Sequence, residues 1–179
     1  AAPSLPEDAE RVRDSGLDDV EFLIAPNPGE PPKPLRRIAS GGELSRIMLA
    51  LKAQGREKEQ PKTLIFDEID SGIGGKTAEF VALRLQALAR VHQVVCITHL
   101  PQIASFASHP YRIEKKVAGD RTFTTVRRLG FDERVEEIAR LMAGSRLTDS
   151  SYASARDMLR HNLAGERART SKTGKETPS

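Results

Sequence analysis

Two adjacent carboxylates, Asp67 and Glu68, directly follow a short apolar run at 64–66. Such a run is typical of a strand that is buried on both faces. Open α/β sheets bind ligands at the carboxyl ends of their strands, where neighbouring side chains point to opposite sides. One acid could then face Mg²⁺ while the other orients a water that attacks a phosphate. On the pair alone, two solvated acids at a strand end are an equally good interpretation.

Ser40, Gly41, Gly42 and Glu43 stand upstream of the acids, where an amphipathic helix is predicted to start near Gly42 and to end around Gly55. Glycine lets a backbone approach an anion closely, and a helix start offers unpaired N–H groups, so this segment could cradle a phosphate. Ser40 with Glu43 three residues later also fits a capping box. The two interpretations are compatible.

A histidine, His99, follows the β-branched run 93–98. Between the acids and this run lie glycines 72, 74 and 75 and a helical pattern at 76–90, so the order is strand, helix, strand. That order predicts a crossover with parallel strands, which places His99 at the same sheet edge as the acids. A histidine there can reach a γ-phosphate, although a lone histidine is more often structural.

The remaining elements are predicted from turn residues and periodicity. The run 20–25 is a strand that leads into a proline-rich connection, and 111–117 with 122–128 form an antiparallel hairpin. Helices are predicted over 132–143 and 149–163, capped by Asp132 and Asp149 and followed by the glycines at 144 and 165.

Composition predicts one compact domain in a chain of 179 residues that is 30% charged. No apolar run approaches the roughly 20 residues that cross a bilayer, and the acidic start lacks an export signal, so we expect a cytoplasmic protein. Cys96, the single cysteine, lies in an apolar run and is predicted to serve packing. The four histidines form no zinc-type cluster with it.

The net charge of +3 does not by itself indicate nucleic-acid binding. Residues 166–179 are basic and polar, and we predict a disordered tail there, either solvated or in contact with phosphates. The sequence also leaves open whether four further basic residues touch DNA or form a solvated face; these are Arg36, Arg37, Arg46 and Lys52.

Taken in order, the segments 39–46, 66–75 and 98–104 closely resemble the RecN family, relatives of the SMC proteins within the ABC-type ATPases. The similarity runs roughly from Val20 to Leu159. It implies an α/β, P-loop NTPase-like fold, specifically the C-terminal lobe of an ABC ATPase head. We therefore expect a mostly parallel sheet flanked by helices, an edge β-hairpin and C-terminal helices. The expected organisation is a polar lead-in at 1–19, the half-head at 20–165 and the tail.

The resemblance also implies residue roles. Ser40, Gly41 and Gly42 would contact the γ-phosphate of ATP held by a partner head, and Glu43 would fill the last position of the signature motif. Within one head, the remaining motif residues would act as follows: Asp67 binds Mg²⁺, Glu68 polarises the attacking water, Asp70 is the D-loop acid at the head-to-head interface, and His99 senses the γ-phosphate.

A P-loop of the form G-x-x-x-x-G-K-[ST] is required by such a site. Gly74-Gly75-Lys76-Thr77 resembles its end, but the required first glycine falls at Asp70, and the loop would set the two acids beside an anionic phosphate. We therefore expect the P-loop, and the coiled coil of SMC-like proteins, on another segment. Alone, this chain is expected to be inactive.

The resemblance implies an ATPase whose ATP-driven head engagement serves DNA double-strand break repair. The expected partners are the N-terminal half of the head, a second head in an ATP-dependent homodimer, and DNA through the full-length protein, without a membrane. The expected location is the cytoplasm, in association with the nucleoid when DNA is bound. Alternatives are another SMC-like or transporter-type cassette, or a noncatalytic docking module that keeps the fold.

Overall fold

The computed structural model describes residues 20–25, 28–37, 40–54, 60–119 and 121–173. The predicted lead-in at 1–19 lies outside these ranges. The chain divides into two compact units at Ser40, and the half-head expected over 20–165 stays a prediction. The boundary falls within the predicted signature motif, between Ser40 and Gly41.

The first unit contains a small antiparallel ladder. Strand β1 (Leu23–Ile24) pairs with β2 (Lys33–Pro34), and a 3-10 turn at Leu35–Arg37 follows. The Leu35 N–H donates to the Phe22 carbonyl at 2.8 Å, which extends the pairing by one bond. The predicted strand over 20–25 is therefore confirmed only at Leu23–Ile24, before the proline-rich connection.

The second unit is built around the predicted crossover. Strand β3 (Thr63–Phe66) runs into α2 (Gly75–Leu88), and β4 (Gln93–Cys96) returns parallel to β3. Phe66 lies opposite Cys96 in the register, and the Ile97 N–H donates to the Phe66 carbonyl at 3.0 Å. Both strands thus end at one edge, as the sequence predicted.

The main core fills the space between this sheet and two helices. Helix α1 (Gly41–Ala53) contributes Leu49, and one face of α2 contributes an apolar stripe. The stripe recurs at helical spacing, which is why this segment folds as an amphipathic helix; it comprises Ala78, Val81, Ala82, Leu85 and Leu88. Phe66 and the fully buried Ile69 complete the core at the end of β3.

A second core joins the C-terminal helices. The short α3 (Pro101–Ala104) leads to the hairpin, and α4 (Phe131–Ala143) and α5 (Asp149–Thr173) then pack through Val135, Ile138, Ala139, Ala155 and Leu159. Two polar contacts meet at Ser105 after α3. The Arg134 guanidinium donates to the Ser105 carbonyl at 2.7 Å, and Asn162 Nδ2 donates to the Ser105 hydroxyl at 2.8 Å.

The predicted hairpin is confirmed. Strands β5 (Tyr111–Ala118) and β6 (Arg121–Arg128) pair antiparallel in full register, from Tyr111 with Arg128 to Ala118 with Arg121. The expectation of a mostly parallel sheet needs correction, however. Among the described residues there are three separate two-stranded sheets, and only β3 with β4 is parallel. The hairpin strands bond to each other rather than extending that sheet.

The helix ends differ from the predicted caps. Helix α4 begins after Gly130, whose N–H donates to Glu133 Oε2 at 2.8 Å, so Asp132 lies within the first turn. Helix α5 is capped by Thr148, whose hydroxyl accepts the Ser151 N–H while the Ser151 hydroxyl accepts the Thr148 N–H. Asp149 is therefore its first helical residue.

The last helix is longer than predicted. Helix α5 continues past Gly165 to Thr173, so residues 166–173 of the predicted disordered tail are helical. The segment after Gly165 contains Glu, Ala and Arg, which favour helix and can carry it past one glycine. Residues 174–179 of the tail lie outside the described ranges. None of the helices over the described residues is long and apolar enough to span a membrane.

Candidate functional site

The acid pair lies at the carboxyl end of β3. The buried Phe66 anchors the strand end, and Asp67 and Glu68 are exposed just beyond it. The Glu68 N–H donates to Asp67 Oδ1 at 2.9 Å, so one carboxylate orients the backbone that carries the other. Exposed carboxylate oxygens are the ligands that Mg²⁺ prefers, and Asp67 therefore suits a magnesium ion that is also held by phosphate oxygens.

The backbone at Glu68 is strained. Glu68 has φ of 55°, and it alone among the described non-glycine residues has a positive φ. A left-handed residue with a side chain costs on the order of 1–2 kcal/mol. A hydrogen bond from the Ser71 N–H to the Glu68 carbonyl, 2.9 Å long, closes the turn that holds it. Strain of this kind concentrates at functional sites because the surrounding structure must enforce it.

The start of α1 packs against that strained turn. A methyl group at Gly41 would lie 2.8 Å from Glu68 Oε2, and one at Gly42 would lie 2.6 Å from the Glu68 carbonyl oxygen and 2.7 Å from Ser71 Cβ. Real Cβ contacts are longer, so neither glycine can take a side chain without movement. The absence of side chains here lets the helix start reach the loop after β3.

Two side chains of α1 fasten this contact. The Ser45 hydroxyl donates to the Asp67 carbonyl at 2.8 Å. Arg46 Nη1 donates to the Ser71 carbonyl at 2.8 Å and to the Ile69 carbonyl at 3.2 Å. The sequence had left Arg46 as a possible DNA contact or part of a solvated face; the structure instead shows it bonded to the loop after β3. Its position four residues after Gly42, on the same helix face, was the available signal.

The loop after β3 is also tied to the end of β4. Asp70 is only 4% exposed, and its Oδ2 accepts two hydrogen bonds, from Thr98 Oγ1 at 2.6 Å and from the His99 backbone N–H at 2.8 Å. The same oxygen lies 3.0 Å from His99 Nδ1, within ion-pair distance. The sequence placed Asp70 and His99 near one edge but did not predict that they bond, and it did not single out Thr98.

These contacts determine the charge state of Asp70. Burial raises the pKa of this carboxyl, but the hydrogen bonds from Thr98 and the His99 backbone, together with the nearby imidazole, outweigh it and hold the pKa below its usual range. Asp70 is therefore a carboxylate at neutral pH. Its side chain faces into the protein, and the role expected for it at a head-to-head interface stays a prediction.

The His99 side chain is exposed, in contrast to the buried side chain of Asp70. Its imidazole is 73% exposed although its Nδ1 is held by Asp70. Because the two ring nitrogens lie on different sides of the imidazole, Nε2 is directed away from Asp70. The edge formed by β3 and β4 thus presents Asp67, Glu68 and His99 to solvent.

The structure brings six of the predicted site residues together and does not do so for the other two. Gly41, Gly42, Asp67, Glu68, Asp70 and His99 lie in the second unit, at the strand ends or against them. Glu43 is exposed in the first turn of α1, and Ser40 is the last residue of the first unit, so the roles of both stay predictions. Within the described ranges, no cluster of three His, Cys, Asp or Glu residues is arranged to hold a metal by itself.

Cys96 lies on the core side of β4, half-buried against the main core. Burial, with the nearby Asp70 and Asp67 carboxylates, raises the pKa of Cys96 to about 12. The thiol is therefore protonated at neutral pH and serves packing, as predicted from its apolar neighbours.

Comparisons with known proteins identify relatives for most of the chain. The DNA repair protein RecN of Treponema pallidum is 49% identical over 165 residues, which cover 92% of this chain and 28% of that protein. RecN of Halalkalibacterium halodurans is 46% identical over 82% of the chain and 26% of its own length. RecN of Bacillus subtilis is 41% identical over 84% and 26%. The chain thus spans 26 to 28% of the length of these relatives.

No family model matches the chain. A solved structure from work on ATP-driven dimerization and DNA-stimulated activation of SMC ATPases covers 69% of this chain and 81% of its own, at 20% identity and a TM-score of 0.44. The RecN relatives, at 41 to 49% identity over most of the chain, show that it belongs to the RecN family and corresponds to part of its members.

Proposed function

We propose that this chain is the C-terminal half of an ATP-binding and hydrolysing head of a RecN-like protein that acts in DNA double-strand break repair. The observation that carries the proposal is the shared edge of β3 and β4, where Asp67, Glu68 and His99 are exposed together and α1 begins beside Glu68. An acid pair, a histidine and a glycine-led helix start suit the hydrolysis of a phosphoanhydride.

Glu68 is the residue for the attacking water. Its exposed carboxylate accepts a hydrogen bond from a water in line with the γ-phosphorus of ATP; the new P–O bond forms as the bond to the β–γ bridging oxygen breaks and ADP leaves. The left-handed turn at Glu68 fixes where this carboxylate stands. Mg²⁺, held by Asp67 and the phosphates, would neutralise charge on the transferred group.

His99 and the start of α1 serve the phosphate itself. His99 Nε2 faces outward, where it can donate a hydrogen bond to a γ-phosphate oxygen. Ser40, Gly41 and Gly42, with Glu43 closing the motif, would meet the γ-phosphate held by a second head, because a helix N-terminus offers N–H groups and glycine permits close approach. ATP would then lie sandwiched between two heads of a homodimer.

The exposed face of the β3–β4 sheet supports the proposal that a second segment completes the head. One face packs on the core, but Ile65, Val95 and Ile97 remain exposed on the other. Parallel sheets are normally covered on both faces. The N-terminal half of the head, which would carry the P-loop, is the occupant that the proposal requires, and DNA would be engaged through the full-length protein in the cytoplasm.

The test is the ATPase rate of this chain reconstituted with the P-loop-bearing segment of the same protein. Glu68→Gln removes the carboxylate charge at nearly constant shape, and Ser40→Arg blocks the phosphate side of the signature. We expect each to lower turnover at least about a hundredfold. Glu79→Gln, a change at an exposed acid on α2, is the matched control and should leave the rate unchanged.

Dimerisation of the heads in the presence of ATP distinguishes the role of Glu68 in hydrolysis from the role of Ser40 in binding the phosphate. Glu68→Gln should stabilise an ATP-bound dimer because hydrolysis no longer releases it, whereas Ser40→Arg should prevent the dimer from forming. Unchanged turnover and dimerisation in both variants would contradict the proposal and favour a noncatalytic docking module.

A further inference from the structure

The buried carboxylate of Asp70 stands behind His99 and not among the groups that face solvent. It is 4% exposed, whereas the His99 side chain is 73% exposed. Any ATP that meets His99 therefore cannot also touch Asp70. The most direct route from this carboxylate to the nucleotide is therefore the histidine.

We propose that Asp70 is a positioning residue that fixes the orientation of the His99 imidazole, an inference that rests on the proposed ATPase function. One oxygen, Oδ2, accepts a hydrogen bond from the His99 backbone N–H and lies 3.0 Å from His99 Nδ1. Two contacts from one residue to one oxygen determine the direction of the ring as well as the position of its backbone. Thr98 Oγ1 holds the same oxygen in place at 2.6 Å.

The contact also decides which ring nitrogen faces outward. A carboxylate oxygen 3.0 Å from Nδ1 holds that nitrogen on the inner side of the ring, so the exposed Nε2 is the atom that meets the γ-phosphate.

The placement also couples the two motifs. Asp70 belongs to the loop after β3, two residues from Glu68, whereas His99 follows β4. Any movement of the water-orienting loop is therefore transmitted to the phosphate-sensing imidazole through one carboxylate oxygen. A separate structural role for Asp70 would not predict an effect that vanishes when the imidazole is removed.

The first test is a double-mutant cycle on the reconstituted head. Asp70→Asn keeps an oxygen acceptor in place but removes the charge, and it should lower kcat about tenfold or more with little change in KM. In a His99→Ala background the same change should alter kcat less than about twofold. Equal losses in both backgrounds would overturn the inference. Asp132→Asn, at an exposed acid of α4, is the control.

The second test does not depend on hydrolysis. In the imidazole proton spectrum of this chain, the His99 Nδ1–H resonance, assigned by its loss in His99→Ala, should lie downfield and move upfield in Asp70→Asn. An unchanged resonance would overturn the inference. If the reconstituted head is inactive and Glu68→Gln changes nothing, the ATPase proposal fails, and this spectrum still decides whether Asp70 controls the imidazole.

Discussion

The guanidinium of Arg46 donates a hydrogen bond to the backbone oxygen of Ser71, 2.8 Å away, and a second one to the backbone oxygen of Ile69 at 3.2 Å. The first residue lies in α1, and the other two lie in the loop after β3. Backbone carbonyls in such a loop lack the partners that a strand or helix would supply. Arg46 provides these partners from a neighbouring helix and so determines the shape of the loop that carries Glu68.

Replacing Arg46 should therefore weaken the fold. Arg46→Met keeps most of the aliphatic stem and removes both hydrogen bonds, and we expect the free energy of unfolding to fall by about 1–3 kcal/mol. Urea denaturation of the chain measures this. Arg90→Met, at an exposed arginine after α2, should change it by less than about 0.5 kcal/mol; equal effects in the two variants would contradict the role given to Arg46.

Gly42 is predicted to reject even a methyl group. Alanine normally stabilises a helix by about 1 kcal/mol over glycine. Here its Cβ would lie 2.6 Å from a backbone oxygen that cannot move freely, so Gly42→Ala should instead destabilise the chain by about 1–3 kcal/mol. Gly74→Ala is the control because nothing lies within 4 Å of the added methyl. If thermal or urea unfolding shows that Gly42→Ala is more stable than Gly74→Ala, the close contact at Gly42 is refuted.

The second core depends on Ile138. Its side chain is 1% exposed between α4 and α5, and Ile138→Ala should cost about 2–5 kcal/mol because the cavity can close only in part. Met142→Ala on the same helix, at a position 42% exposed, is the comparison and should cost far less. Similar losses for the two changes would show that α4 and α5 do not pack as described.

Asp70 should make the stability of the chain depend on pH. Its folded-state pKa lies below the usual 3.8, because hydrogen bonds from Thr98 and His99 outweigh the effect of burial. The carboxylate therefore stabilises the fold above that value, and the contribution is lost as the pH falls through the folded-state pKa. In urea denaturation repeated from neutral pH downward, the difference in the free energy of unfolding between the native chain and Asp70→Asn should shrink in this acid range. A difference that stays constant would show that protonation of Asp70 does not contribute to the stability.

The sequence predicted those elements that have strong local patterns. The apolar run 63–66, the helical spacing over 76–90 and the β-branched run at 93–98 each specify one structure, and their order determines a parallel pairing. Phe80, although it fits the helical spacing, is 56% exposed and lies outside the core. From that pairing alone, the acids and His99 could be placed at one edge. The hairpin at 111–128 was predicted for the same reason, since its alternation and turn agree.

The predictions from sequence failed in two situations. Either two neighbouring residues could serve equally well, or the contact that decides the structure joins residues far apart in the sequence. Thr148 and Asp149 are both good caps, so the pattern could not select between them. Gly165 was expected to end α5, but the favourable residues that follow extend the helix. Arg46 bonds to carbonyls 23 and 25 residues away, and Asp70 bonds to residues 28 and 29 residues away. No local rule predicts such contacts.

The close approach of Gly41 to Glu68 has a consequence for two sites at once. In the proposed homodimer, Gly41 touches the nucleotide bound by the opposite head, whereas Glu68 acts on the nucleotide of its own. A shift of the α1 start upon binding one nucleotide would displace the acid that hydrolyses the other. The two sites would then not hydrolyse ATP independently, because the contact between Gly41 and Glu68 would couple them.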